Sequence, residues 1–152
     1  VLIIQIPLGM YLVDMDFSEK RLTIENIHVA VGISIFYLTI LRLIYKTFNP
    51  TPNLNNNIFP GQKIIAKLNH VFLYISILMI TISGALKKLY NGEELNMFFF
   101  NLEIQDNFEL AEIFYEIHIL GNYTLIALIS LHIFAVLIHK ILFKENLLKR
   151  IL

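Results

Sequence analysis

Four apolar stretches, separated by polar ones, organise the chain. Residues 1–13, VLIIQIPLGMYLV, are apolar almost throughout but too few to cross about 30 Å of hydrocarbon. The reading is the second half of a membrane helix whose start lies upstream. The polar segment DMDFSEKRLTIEN follows, then residues 27–45, IHVAVGISIFYLTILRLIY, a run of spanning length with one arginine, Arg42, near its end. KTFNPTPNLNNNIFPGQK is rich in proline and asparagine and predicts a loop. A third run covers about 64–86 and a fourth about 113–143. The fourth, as a helix, would be roughly 46 Å long and project beyond the hydrocarbon. Between them, 87–112 holds two lysines, many acids and MFFF at 97–100, which reads as an aromatic patch at the membrane interface. The pattern predicts an all-α fold. It is an integral membrane four-helix bundle in one domain over 1–152, its first helix truncated at the N-terminus.

Composition agrees. The chain is 57% hydrophobic and 16% charged, with no cysteine, which removes disulfides, thiolate metal sites and iron–sulfur clusters. Zero net charge hides a marked asymmetry. Arg42, Lys46, Lys63 and Lys67 flank one loop, and Lys140, Lys144, Lys149 and Arg150 close the chain. By the positive-inside rule this side, with the C-terminus, is cytoplasmic. Eleven of the twelve acids fall on the other side with four basic residues, a net of −7. Nothing suggests nucleic acid as a partner.

Five histidines stand in this apolar frame. His118, His132 and His139 are separated by fourteen and seven residues, which places them on one face of the fourth helix at about 100° per residue. His28 opens the second helix at the same outer level as His118. His70 lies near the inner end of the third, with His132 and His139 toward the inner half of the fourth. Ionisable groups inside spans point to function, although interhelical hydrogen bonding would also employ imidazoles. A zinc or copper catalytic site would need three close ligands, and no carboxylate lies within a span. Two imidazoles on facing helices at one depth suit a six-coordinate haem b, whose filled axial positions favour electron transfer. Gly32 and Gly121, each within a turn of a histidine, leave room for a flat macrocycle or for close helix packing. Arg42, fourteen residues past His28 on its face, suits a haem propionate or anionic lipid, or snorkels to the interface. Phe36, Tyr37, Phe72 and Tyr74 read as packing residues.

The segments ENIHVAVGISI (25–35), NPTP (49–52), AKLNHVFLYI (66–75), HILGN (118–122), LHIFAVLIHK (131–140) and KENLLKRIL (144–152) resemble the bacterial cytochrome b561 family. These are di-haem four-helix proteins of the inner membrane. The resemblance covers essentially the whole chain. It implies two haems b, with His28 and His118 the axial pair of the outer one and His132 one ligand of the inner. The other inner ligand would fall a few residues before Val1. His70 and His139 match family histidines near the inner quinone-binding region and would act there on the proton chemistry of ubiquinone.

The expected function is therefore electron transfer from the periplasmic face, with superoxide as donor, through haem to ubiquinone in a bacterial inner membrane. This is a superoxide oxidase-like activity. The second reading is a non-catalytic haem b carrier subunit of a quinone-linked dehydrogenase or hydrogenase. The third is a membrane protein without haem.

Overall fold

The computed structural model describes residues 1–49 and 61–142, apart from the side chains of 62, 63 and 139–142. Helix α1 covers Leu2–Val13, α2 Glu19–Phe48, α3 Gln62–Tyr90 and α4 Phe108–Leu142. Between α3 and α4 a small antiparallel hairpin pairs β1 (Leu95–Asn96) with β2 (Asn101–Leu102), Leu95 opposite Leu102 and Asn96 opposite Asn101. Helices α2, α3 and α4 are each long and apolar enough to cross a membrane, and α1 is a short apolar helix beside α2.

Helix boundaries run past the apolar runs because capping decides them. α2 begins at Glu19, eight residues before the apolar stretch, since Ser18 Oγ accepts the Arg21 amide at 3.2 Å and Glu19 complements the helix N-terminus. Likewise Asn107 Oδ1 accepts the Leu110 amide at 3.1 Å and starts α4 five residues early. α3 runs on to Tyr90 and stops where Gly92 takes φ +78°. The stretch 87–112 between the third and fourth apolar runs thus contains a helix end, a hairpin and a helix start. Of the loop expected between α2 and α3, residues 50–60 lie outside the described residues, as do NPTP beyond Asn49 and the segment 144–152.

The described part of the bundle suits an apolar surround. Hydroxyls inside the spans bond back to their own helix: Ser34 to the Ala30 carbonyl (2.9 Å), Thr39 to Ile35 (2.7 Å) and Thr81 to Ile77 (2.9 Å). Large apolar side chains such as Leu38, Leu41, Phe72 and Phe134 face outward. α3 packs most closely on α4, and Gly121 explains why. A Cβ there would lie 2.8 Å from Ile80 Cγ1 and 3.1 Å from Met79 Cε. Gly121 therefore serves close helix packing, and the macrocycle reading of it is corrected. Gly32 differs: only the Gln5 amide, at 3.8 Å, approaches its missing Cβ, and it lines a cavity.

Candidate cofactor site

That cavity, about 640 Å³, opens between the outer halves of α1 to α4. His28 reaches into it from α2 and His118 from α4, their ring centres 6.3 Å apart and their planes 75° to each other. Two imidazoles bound on opposite sides of one metal through bonds of about 2 Å would have ring centres about 6 Å apart. The two rings stand at that separation.

A glycine of a neighbouring helix lies against each ring, and the His118 ring is also held by a hydrogen bond. His118 Nδ1 lies 2.9 Å from the Ile80 carbonyl, and since a carbonyl only accepts, Nδ1 carries the proton and donates. Nε2 is left with its lone pair, the tautomer that a metal-binding histidine needs. Gly84, one turn beyond Ile80, makes the contact possible: a Cβ there would lie 2.9 Å from both Cε1 and Nδ1 of His118. On the opposite wall the Gln5 amide donates to the His28 carbonyl at 2.7 Å, and Gly32, one turn beyond His28, leaves that carbonyl open. Gly9 of α1 passes so near the His28 ring that a Cβ would lie 2.9 Å from its Cε1. His28 Nδ1 is buried with no hydrogen-bond partner among the described residues, so the ring has polar capacity to offer the cavity.

The mouth is charged but paired. Lys87 meets Glu25 at 3.3 Å, Lys88 meets Glu93, and the Arg21 guanidinium donates to the Met15 carbonyl. Arg21, Glu25, Lys87 and Lys88 all line the cavity.

Toward the other end, His70 of α3 and His132 of α4 form a second pair, ring centres 5.2 Å apart at 65°. Asn69 contacts His132 Nδ1 through its side-chain amide at 3.0 Å, while its own Oδ1 is buried without a partner. Which amide atom faces the ring is an assignment, since nitrogen and oxygen have nearly the same shape. Turned over, the carbonyl would accept from Nδ1–H and leave His132 Nε2 free. Arg42 is exposed on α2, and Arg42 and Lys46 bring positive charge to His70. Lys46 also lies 5.3 Å over the Tyr74 ring. His139 continues α4, its side chain outside the described part.

Among the described residues no three His, Cys, Asp or Glu converge as a metal site would require. Four of the five histidines stand in two pairs, and the residues around the outer pair fit a flat group with a central metal. The cavity lies within the about 300–1,000 Å³ usual for cofactor pockets, glycines on α1 and α3 flank the two rings, and both imidazoles reach in. Gln5, Gly9, Gly84 and Asn69 are the site residues that periodicity missed. The one available signal was small residues at Gly84 and Gly9 inside otherwise bulky helices. Gly84→Val should push His118 off the Ile80 carbonyl and weaken haem retention by about 10–100-fold, the usual cost of losing such support, read by haem titration of the purified protein.

Comparison with known proteins bears on the family of the chain. Residues 1–152 match the family model described as prokaryotic cytochrome b561. The chain is similar to cytochrome b561 homolog 2 of Escherichia coli (strain K12), 24% identical over 149 residues, covering 95% of this chain and 79% of the relative. It is also similar to cytochrome b561 homolog 1 of the same organism, 28% identical over 137 residues, covering 89% and 78% respectively.

Proposed function

We propose that this chain, which belongs to the prokaryotic cytochrome b561 family, takes electrons at the acidic face of the membrane, with superoxide as donor, and delivers them to ubiquinone at the other. The chain is a multi-pass membrane protein of a b-type haem, electron-transfer family. The finer reading rests chiefly on one observation: two histidine pairs, 6.3 and 5.2 Å between ring centres, stacked along the bundle at different depths.

In this reading His28 and His118 hold the outer haem and His132 the inner one. A haem b held there would supply reversible one-electron storage. The protein does the rest. The Ile80 carbonyl fixes the His118 tautomer and plane, and the Gln5 amide steadies the backbone that carries His28. Apolar residues such as Ile33, Ile77, Ile80 and Leu125 line the cavity between the charged positions. At the inner end His70 and His139 hold and pass the protons that quinone reduction consumes, with Arg42 as the anion partner there. In this reading the protein lies in a bacterial inner membrane, as the family resemblance implies, and the basic-residue asymmetry puts its C-terminus in the cytoplasm.

The donor reading has an electrostatic test. Glu25 neutralises Lys87 at the cavity mouth, so Glu25→Gln should free the cation and speed superoxide-driven quinone reduction at low ionic strength, with the gain fading as salt screens it. A rate indifferent to both the substitution and salt would rule superoxide steering out. The pairing of Lys87 and Lys88 with carboxylates, on a face of net charge −7, favours a second reading. A cationic protein donor would dock there, as for a carrier subunit of a dehydrogenase or hydrogenase. Superoxide-driven quinone reduction by the isolated protein separates the two.

His70→Ala should keep the haem content while slowing haem reoxidation by quinone by roughly 10-fold or more, the usual scale of a lost acid–base group. Loss of haem instead would make His70 a ligand.

A further inference from the structure

The hairpin between α3 and α4 does not stand out in water. It turns back along the bundle. Leu95, 1% exposed, is wedged beside Ile33 and Leu89, with Val29, Tyr37 and Ala85 packed around it. At the tip, the Tyr37 ring lies 6.5 Å from that of Phe98 and 6.0 Å from that of Phe99, and its hydroxyl donates to the Met97 carbonyl at 3.2 Å. Val29, Ile33 and Tyr37 form one stripe of α2, each four residues from the last, and the hairpin follows it.

That stripe measures depth. Tyr37 is nine residues past His28, about 13 Å farther along the helix. It lies at the middle of the apolar run 27–45. A helical side chain leans back toward the N-terminus by roughly one turn, about 5 Å, so the contact with the tip is still deeper than His28. Around it, Leu38 and Leu41 of the same helix face outward as a lipid-facing surface does.

We propose that residues 95–102 are a re-entrant hairpin, and that its tip, Phe98–Phe100, sits among the acyl chains of the leaflet nearer His28. All three phenylalanines are exposed, Phe99 at 84%. Backbone at such a depth is costly unless its polar groups are paired, and the base and sides of this turn are paired. Beyond the two strand pairs, the Met97 amide donates to the Phe100 carbonyl at 2.9 Å, the Phe98 amide to Asn96 Oδ1 at 2.8 Å, and the Met97 carbonyl receives Tyr37. Phe98 takes φ +69°, a region where asparagine or glycine is usual in a water-exposed turn. Bulky aromatics at the tip make sense where their rings meet lipid. The hairpin also bears on the outer cavity, because Leu95 forms part of its wall.

The chain has no cysteine, so Phe99→Cys is a unique labelling site, and Glu103→Cys marks the exposed return of the hairpin. A nitroxide on each, in the haem-loaded protein reconstituted into phosphatidylcholine–phosphatidylglycerol vesicles, is probed by collision with oxygen and with a water-soluble nickel chelate. The expected result is a several-fold higher oxygen-to-nickel ratio at 99 than at 103. Nickel access at 99 equal to that at 103 would overturn the proposal. So would exclusion of both reagents with spin–spin broadening that disappears on dilution with unlabelled protein, which would place a second copy on the tip. Should the cysteine variant fail to retain haem, Phe99→Trp creates the only tryptophan in the chain, and quenching by bromine-labelled acyl chains reads the same depth. Quenching by brominated lipid supports insertion, and quenching only by aqueous iodide refutes it.

Discussion

His118→Ala should lose one haem and, with it, electron transfer across the membrane. The Ile80 carbonyl, fixed behind the ring at 2.9 Å, aims His118 Nε2 at the cavity and at His28, whose ring centre is 6.3 Å away. Support of that kind alone is typically worth about 10–100-fold in metal affinity, so removal of the ligand itself should exceed about 100-fold. His28→Ala should behave alike, because six-coordination needs both rings. Truncation also opens a space of imidazole shape, so added imidazole should restore part of the haem binding in either variant. A merely structural histidine would not be rescued in this way. The readouts are haem content per polypeptide and the rate of haem reoxidation by quinone after chemical reduction.

The second large effect belongs to the inner pair. His132→Ala should remove the inner haem while sparing the outer one, since His132 lies fourteen positions along α4 from His118, about 21 Å. Asn69 grades the effect. Presented carbonyl-first to His132 Nδ1, it would fix that ring as Ile80 fixes His118. Asn69→Leu should therefore lower inner-haem affinity by about 10–100-fold without touching the outer haem. Asn69→Asp should retain the haem but make it harder to reduce, since a carboxylate behind the imidazole raises its donor strength. Redox titration with the two haems resolved by absorption checks both.

Much of this was legible in the sequence, for identifiable reasons. Depth is nearly one-dimensional in a membrane bundle, so counting residues along each apolar run puts His28 level with His118, as the structure does, but it puts His70 at about the level of His139, whereas the structure sets it beside His132. The family resemblance follows from the same histidine register, and the all-α membrane fold from the apolar runs. Rotation about each helix axis is a different matter. Gly84, Gly9 and Gln5 matter only because α1 and α3 turn those positions toward the two histidines, and nothing in their local sequence states that rotation. Gly121 shows the converse. It lies three residues from His118, as a haem-facing glycine would, yet it meets Ile80 and Met79 on α3. The early start of α2 was missed because the run of apolar residues, not the cap at Ser18, was used to mark the helix. The hairpin was missed because each strand has two residues, too short for any alternation to register, and MFFF showed only that something aromatic lay near the interface.

The central claim is that His28 and His118 bind one and the same haem. Low-temperature electron paramagnetic resonance of the oxidised protein, recorded for the parent chain, His28→Ala and His118→Ala at equal protein concentration, tests it most directly. If the two rings share an iron, both variants lose the same low-spin component and keep the other unchanged. Loss of different components in the two variants, or a full complement of low-spin haem in either, would contradict the pairing.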